Sequence, residues 1–425
     1  MGKPKKDRRS KEKRARKRDR MERVLKILGY WDLVERLPPK LLSLMTVYGP
    51  QFSLKVEAGD GMTGHEEIVK AARKIAEEAT LIGEPFDSVR LLETLEVVFR
   101  MLTIFGAYGP EKLATMPTKY VEPIETLKEA LTVNALQTLM TGLSLMISRS
   151  LNPYSRCTET MFWSSIAHGV TGKTMIYTVH IHGAKPDSRE VVLEGKKRTV
   201  WRCGCWITAD SSFEWVSWPE GNLPGADGAE GHMLPVYIQD HALRHLRERM
   251  NLKTKHSVGV GHNWLGWSLR NPVILPASEN RYLVEFKYAG KTAGYFVAKK
   301  KGDCIVITTF LFLTMMGTPQ AEKLHERLGI GRKTIDYLHL DQLKTFCNPD
   351  IRNDEELVAI FTECDCGHLF EIAQLDPEDT EFFPDQAALC RRVLFPENAV
   401  VEKQQAENDP VLSQMLEAML YREKH

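Results

Sequence analysis

Residues 238–250 read IQDHALRHLRERM, and this stretch concentrates chemistry on one predicted helix. His241 and His245 are four residues apart, so both imidazoles could reach one metal, with Glu248 a turn further on. Arg244, Arg247 and Arg249 offer guanidinium forks, whose geometry suits phosphate oxygens. The same glutamate and arginine spacing also fits a solvated face with local ion pairs. At about 100° per residue, Leu243, Leu246 and Met250 share an inward face. His241, Arg244, His245 and Glu248 share the opposite one. If the helix serves RNA cleavage, His241 is the acid or base near neutral pH, and Arg244 and Arg249 stabilise the phosphorane. His241, Arg244 and Arg249 are therefore the candidate catalytic residues. Arg244, Arg247, Arg249 and Lys287 are candidate nucleic-acid contacts, and Tyr282, Lys287 and Tyr295 are candidates to line a groove.

Other motifs are weaker. In CDCGH, Cys364, Cys366 and His368 could ligate zinc, although the spacing is not that of a zinc knuckle and Cys347 or Cys390 would have to complete the set. Cys203 and Cys205 alternate onto the strand face of Trp201 and Ile207, as core thiols would. AHGVTGKT (167–174) matches a loose phosphate-loop pattern, but a strand follows where a helix should, so a turn before a strand is expected. Pro186-Asp187 with Glu194-x-Lys196 echoes a metal-dependent nuclease, yet Glu194-Gly195 reads as a turn between two strands. ERLGIGRKTIDYL (326–338) fits the turn and second helix of a DNA-reading helix-turn-helix, or a strand followed by a helix.

The elements that must position these residues follow from periodicity. Residues 1–20 hold 12 Lys/Arg and 3 Asp/Glu, whereas the whole chain of 425 residues has a net charge of +1. A basic arm, expected to be disordered or helical, is thus joined to a mildly acidic body. Within it Lys5, Arg8, Arg14 and Arg16 are candidate polyanion contacts. Residues 21–150 carry helical spacing and form an expected helical domain. Residues 151–233 alternate with β-branched and aromatic residues, then pass through a Gly/Pro-rich linker, giving a β-rich segment. Residues 234–317 read β-α-α-β-β-β, with the apolar run CIVITTFLFL as a buried strand. Residues 318–425 form a helical extension, whose last helix starts at Asp409-Pro410 and aligns Leu412, Met415, Leu416, Met419 and Leu420. The expected class is α+β. No apolar segment suits a membrane span, and the eight cysteines suggest reduced thiols in a cytoplasm.

Residues 234–317 resemble the RelE/BrnT-like toxin superfamily. The likeness is greatest to uncharacterised bacterial domains whose helix carries a His-Ala-x-x-Arg-x-x-Glu-Arg pattern. Here it falls on His241, Ala242, Leu246-Arg247 and Glu248-Arg249. The resemblance implies action on RNA, often on the ribosome, by basic and aromatic residues without metal. Together with the arm and the arginine-rich helix, it gives the expectation of a cytoplasmic nucleic-acid-associated protein that binds RNA rather than DNA and needs no cofactor. The alternatives are a metal-independent ribonuclease and an interaction protein with a small zinc site.

Overall fold

The computed structural model of the chain describes residues 4–45, 51–80, 89–172, 174–207, 212–225, 231–278, 280–375, 390 and 394. The helix expected at Asp409-Pro410 lies outside them. The chain is α+β, as expected, and divides into two compact units.

The first unit comprises residues 1–186 with 206–214. Its elements are α1 (Pro4–Ile27), α2 (Trp31–Glu35), α3 (Pro39–Ser43), β1 (Gln51–Ala58), α4 (Glu66–Glu78), α5 (Leu91–Gly106), α6 (Pro110–Ala114), α7 (Thr118–Ala130), α8 (Val133–Leu151), β2 (Met161–Thr171) and β3 (Thr174–Ala184). The basic stretch takes its helical alternative and runs as one helix from Pro4 across residue 20. Lysine and arginine are good helix formers, and the buried Met21, Val24 and Leu25 anchor the growing end. Arg20 and Arg23 clamp that end to α5 through Glu93 and Glu96.

Strand β1 interrupts a region whose sequence reads as helical. It pairs in parallel with β3, and β3 pairs antiparallel with β2. Helices α4, α5 and α8 pack on this three-stranded sheet. The hairpin β2–β3 contains the phosphate-loop-like segment, so that segment is the expected turn and strand rather than a loop opening a helix.

The second unit comprises residues 187–205 and 215–425. After β4 (Ser188–Leu193) and β5 (Lys196–Arg202), β6 (Gly204–Ile207) and β7 (Ser212–Trp215) cross the division between the units. Then come β8 (Ser217–Pro219), β9 (Met233–Gln239), α9 (Asp240–Arg249), α10 (Lys255–Arg270), β10 (Ile274–Ser278), β11 (Arg281–Tyr288), β12 (Lys291–Lys301) and β13 (Cys304–Phe312). Helices α11 (Pro319–Leu328), α12 (Arg332–Tyr337), α13 (Leu343–Cys347), α14 (Pro349–Arg352), α15 (Glu355–Glu363) and α16 (His368–Leu375) follow. The expected β-rich segment 151–233 is thus shared out. Its first hairpin completes the first unit's sheet, and β4 and β5 extend the sheet of the second. The reason is pairing: β3 satisfies its backbone along β1, and β5 satisfies its own along β9.

The expected strand-helix-helix-strands order of 234–317 is present, with β10 as an additional short strand. The sheet order is β10-β11-β12-β13-β9-β5-β4, with β13 parallel to β9 and β8 beside the first half of β9. Phe286, Phe296 and Phe310 meet at ring distances of 5.1–5.5 Å and are fully buried. Burying each such ring contributes about 1.5–3 kcal/mol. Phe312 continues the layer to Phe346, which packs edge-on against Phe361 and Phe370. The segment 326–338 takes its helical alternative, α11, a left-handed Gly329 and the short α12, with Ile335 buried.

Candidate nucleic-acid interface

Strand β9 ends at Gln239, but both of its neighbours run on. Gln239 pairs with Val200 of β5, so Lys196–Thr199 extend past the end of β9. On the other side Ile238 pairs with Ile307, so Thr308 and Thr309 of β13 extend past it as well. The gap is a groove of about 870 Å³ at the carboxyl end of β9. One wall is the β4–β5 hairpin, with Glu194, Lys196, Arg198, Thr199 and Trp201. The other is β11–β13, with Arg281, Val297, Lys299, Thr308 and Thr309. The first turn of α9 closes one end with Gln239, Asp240, His241 and Arg244. A β-bulge shifts the β12–β13 register between Val297 and Ala298, and its extra residue is Thr308, whose hydroxyl donates to the Val297 carbonyl. Bulges re-aim side chains in this way beside functional sites.

The groove is electropositive. Five Lys/Arg side chains line it, against Glu194 and Asp240. Lys196, Arg198 and Arg281 are exposed and form no ion pair with any described residue. Arg244 has only a loose contact with Glu248, at 3.9 Å. Lys299 donates to Glu194 across the walls at 2.7 Å, and this lysine holds the Glu194 carboxyl below its ordinary range.

Helix α9 divides its basic residues by role. As expected, Leu243, Leu246 and Met250 are buried, and His241, Arg244 and Glu248 are exposed. Arg244 donates to His241 Nδ1 at 3.0 Å. A guanidinium can only donate, so Nδ1 is the acceptor in this contact and Nε2 carries the ring's hydrogen. Nε2–H can donate to a phosphate but, while Nδ1 is so engaged, the ring has no lone pair free to take a proton from a hydroxyl. His245 lies against His241, with ring centroids 4.3 Å apart. Burial lowers the His245 pKa. A metal across this pair would sit beside the Arg244 cation.

Arg249 is a correction to the sequence reading. It pairs with the buried Asp341, which ties α9 to the segment after α12. It does not line the groove, and its guanidinium is engaged by that carboxylate. Arg247 is exposed but does not line the groove. Lys287 lies six residues along β11 from Arg281, about 20 Å at strand rise, and pairs with Glu285 at 3.0 Å. Tyr282 and Tyr295 are buried rather than groove-lining, and burial raises the Tyr295 hydroxyl pKa. Arg16 is exposed on α1, while the side chains of Lys5, Arg8 and Arg14 lie outside the described residues.

The zinc set does not form. Cys364 and Cys366 are buried, and burial raises both thiol pKa values, the opposite of what a thiolate ligand needs. His368 Nε2 is engaged by the Thr292 carbonyl. Among the described residues no group of three or more His, Cys, Asp or Glu is placed to hold a metal, and no helix is long and apolar enough to cross a membrane. Cys203 and Cys205 are core thiols, as expected. The nuclease-like Glu194-Gly195 is the expected turn. Asp187, at the far end of β4, instead accepts from the Tyr237 hydroxyl at 2.8 Å.

Two arrangements in the first unit invite chemistry and do not support it. Ser165 Oγ lies 2.7 Å from His182 Nε2, but the Asp60 amide donates to Nδ1 at 3.2 Å. The Nε2 nitrogen of that neutral ring therefore carries the hydrogen and cannot serve as base for the serine. The loop Gly59-Asp60-Gly61-Met62-Thr63-Gly64 joins β1 to α4 with a G-x-G-x-x-G spacing that the sequence reading passed over. Its Gly59, Asp60 and Gly64 amides are already bonded to Ile181, His182 and Glu66, and the helix opens with Glu66 and Glu67. A phosphate would meet spent donors and two carboxylates. The glycines serve close packing instead, since a Cβ on Gly61 would stand 1.9 Å from the Gly183 carbonyl oxygen.

Sequence reasoning named His241 and Arg244 for this site, named Lys196 only within a nuclease-like motif and Trp201 only as a strand-face residue, and passed over Arg198, Arg281 and Lys299. The alternation of charge in KKRTVWR and RYLVEFK was the available signal, and only the pairing of β5, β9 and β13 turns it into a site. Comparison with family models, with curated proteins and with solved structures finds no match to this chain.

Proposed function

We propose that the protein binds nucleic acid, RNA in preference to DNA, in the groove at the end of β9. The observation that carries this reading is the excess of cations in one groove: Lys196, Arg198 and Arg281 are exposed and form no ion pair with any described residue, and Arg244 has only a loose contact with Glu248. Guanidinium and ammonium groups gathered this way suit a row of phosphates. The hydroxyls of Thr199, Thr308 and Thr309 suit sugar 2′-hydroxyls, which distinguish RNA from DNA. Trp201 offers an aromatic surface in the same wall. The likeness of residues 234–317 to RelE-type domains is in keeping with an RNA ligand. The eight free cysteines accord with a cytoplasmic setting.

His241 is a phosphate donor in this reading rather than a general base, because Arg244 holds its Nδ1. The test is ultraviolet crosslinking of the full chain to labelled single-stranded RNA in EDTA, followed by peptide mapping. Adducts in residues 194–201, 239–244 and 281–309 are expected, with the RNA intact. Adducts confined to other segments would overturn the reading. Cleavage lost in His241→Ala would replace it with a metal-independent ribonuclease.

A further inference from the structure

In the groove one cation is already satisfied. Glu194, at the tip of the β4–β5 hairpin, reaches across to Lys299 of β12. The carboxylate comes from one wall and the ammonium from the other, so this ion pair spans the mouth of the site. Its two members are unlike: the Glu194 side chain is 82% exposed and that of Lys299 is 25% exposed. The carboxylate can swing into solvent, whereas the lysine stays in the groove. No other groove cation is held across the two walls in this way among the described residues.

We infer that Glu194 is a specificity-determining residue, a built-in anion that occupies Lys299 until a ligand phosphate displaces it. This rests on the groove being the nucleic-acid site. Displacement sets a threshold. A ligand with one phosphate exchanges one anion for another at Lys299 and gains little. A strand held by Lys196, Arg198, Arg281 and Arg244 can bind without fully opening the pair, so it bears the cost only in part. The groove therefore selects for a chain of phosphodiesters over mononucleotides or free phosphate. An exposed ion pair contributes little, so the bias is at most about fivefold rather than an absolute lock.

The test is a double-mutant cycle read by anisotropy, with a labelled 12-nucleotide single-stranded RNA as probe and uridine monophosphate as competitor. Glu194→Gln is expected to tighten RNA binding by about twofold and to improve competition by the mononucleotide by up to about fivefold. In a Lys299→Met background the same substitution is expected to lose most of its effect, because the main group it frees is gone and only Arg281 and Lys301 still feel the carboxylate. Tightening that persists undiminished in Lys299→Met would show a general charge effect and overturn the inference. So would unchanged affinity in Glu194→Gln.

Glu194 and Gly195 both have positive φ, 50° and 76°, as a two-residue type I′ turn requires. Glu194→Asn gives that turn its preferred residues, so this second variant folds without penalty and must tighten binding as well. A wild type whose RNA binding survives Arg198→Glu with Arg281→Glu would refute the groove itself, a failure distinct from that of the Glu194 exchange.

Discussion

The molecule presents cations in two ways. Residues 1–20 hold 12 Lys/Arg, 11 of them on helix α1, contiguous in sequence and local in structure. The groove carries five, drawn from β5, α9, β11 and β12, with 102 residues between its outermost members. A contiguous run on a helix projects charge in all directions and suits any polyanion, with little demand on its shape. An assembled set has fixed spacing, hydroxyl neighbours and an aromatic wall, so it can discriminate. The comparison teaches that charge density can be local in sequence, whereas a set of cations with fixed spacing is made by the fold; on the proposed reading the first would draw a polyanion close and the second would select it.

The assembled site depends on the fold, and the sharpest break is at its support. Arg249→Ala leaves Asp341 buried without its cation, and the expected loss of stability is about 3–5 kcal/mol by denaturant titration. Joint replacement by Arg249→Met and Asp341→Leu is expected to recover most of it. Equal stability of Arg249→Ala and wild type would mean that the pair does not fasten α9. Reversing charge within the groove comes next. Arg198→Glu with Arg281→Glu is expected to weaken RNA binding by about 100-fold while leaving the thermal midpoint within a degree or two, since both side chains are exposed. Deleting residues 1–19 is a smaller break. It is expected to cost about tenfold at low salt and to flatten the salt dependence, without altering the preference for RNA over DNA.

The smallest effect is in pH. Burial depresses the pKa of both His245 and His182 below the ordinary histidine value of 6.5. The unfolded chain then binds protons that the folded chain refuses. Their contribution to stability is full above pH 6.5 and falls as the pH drops through the depressed values. Unfolding midpoints measured from pH 7.5 to 5 are expected to fall, and to fall less in His245→Gln. A midpoint that rises on acidification would contradict the burial argument.

Legibility followed the same division between local and assembled features. The α9 helix, its buried and exposed faces, the helix after it and the three long strands of β11–β13 were legible because each is set by short-range period. The hairpin turn at Glu194-Gly195 was legible from turn chemistry. The groove was not. Lys196 and Lys299 are a hundred residues apart, and nothing local in either strand says that β9 stops between them. Arg249 and Arg244 look alike in sequence, and only the position of Asp341 separates a fastening residue from a ligand contact. Strand β1 was missed for a related reason: its pairing partner, β3, lies more than a hundred residues away.

The central claim is that the groove, not the basic helix, holds the nucleic acid. The most direct measurement is the affinity of one single-stranded RNA, at near-physiological salt, for three proteins: wild type, the chain lacking residues 1–19, and Arg198→Glu with Arg281→Glu. The account predicts that the first two bind within about tenfold of each other and that the third loses binding. Retained binding by the groove variant, with loss in the truncated chain, would contradict it.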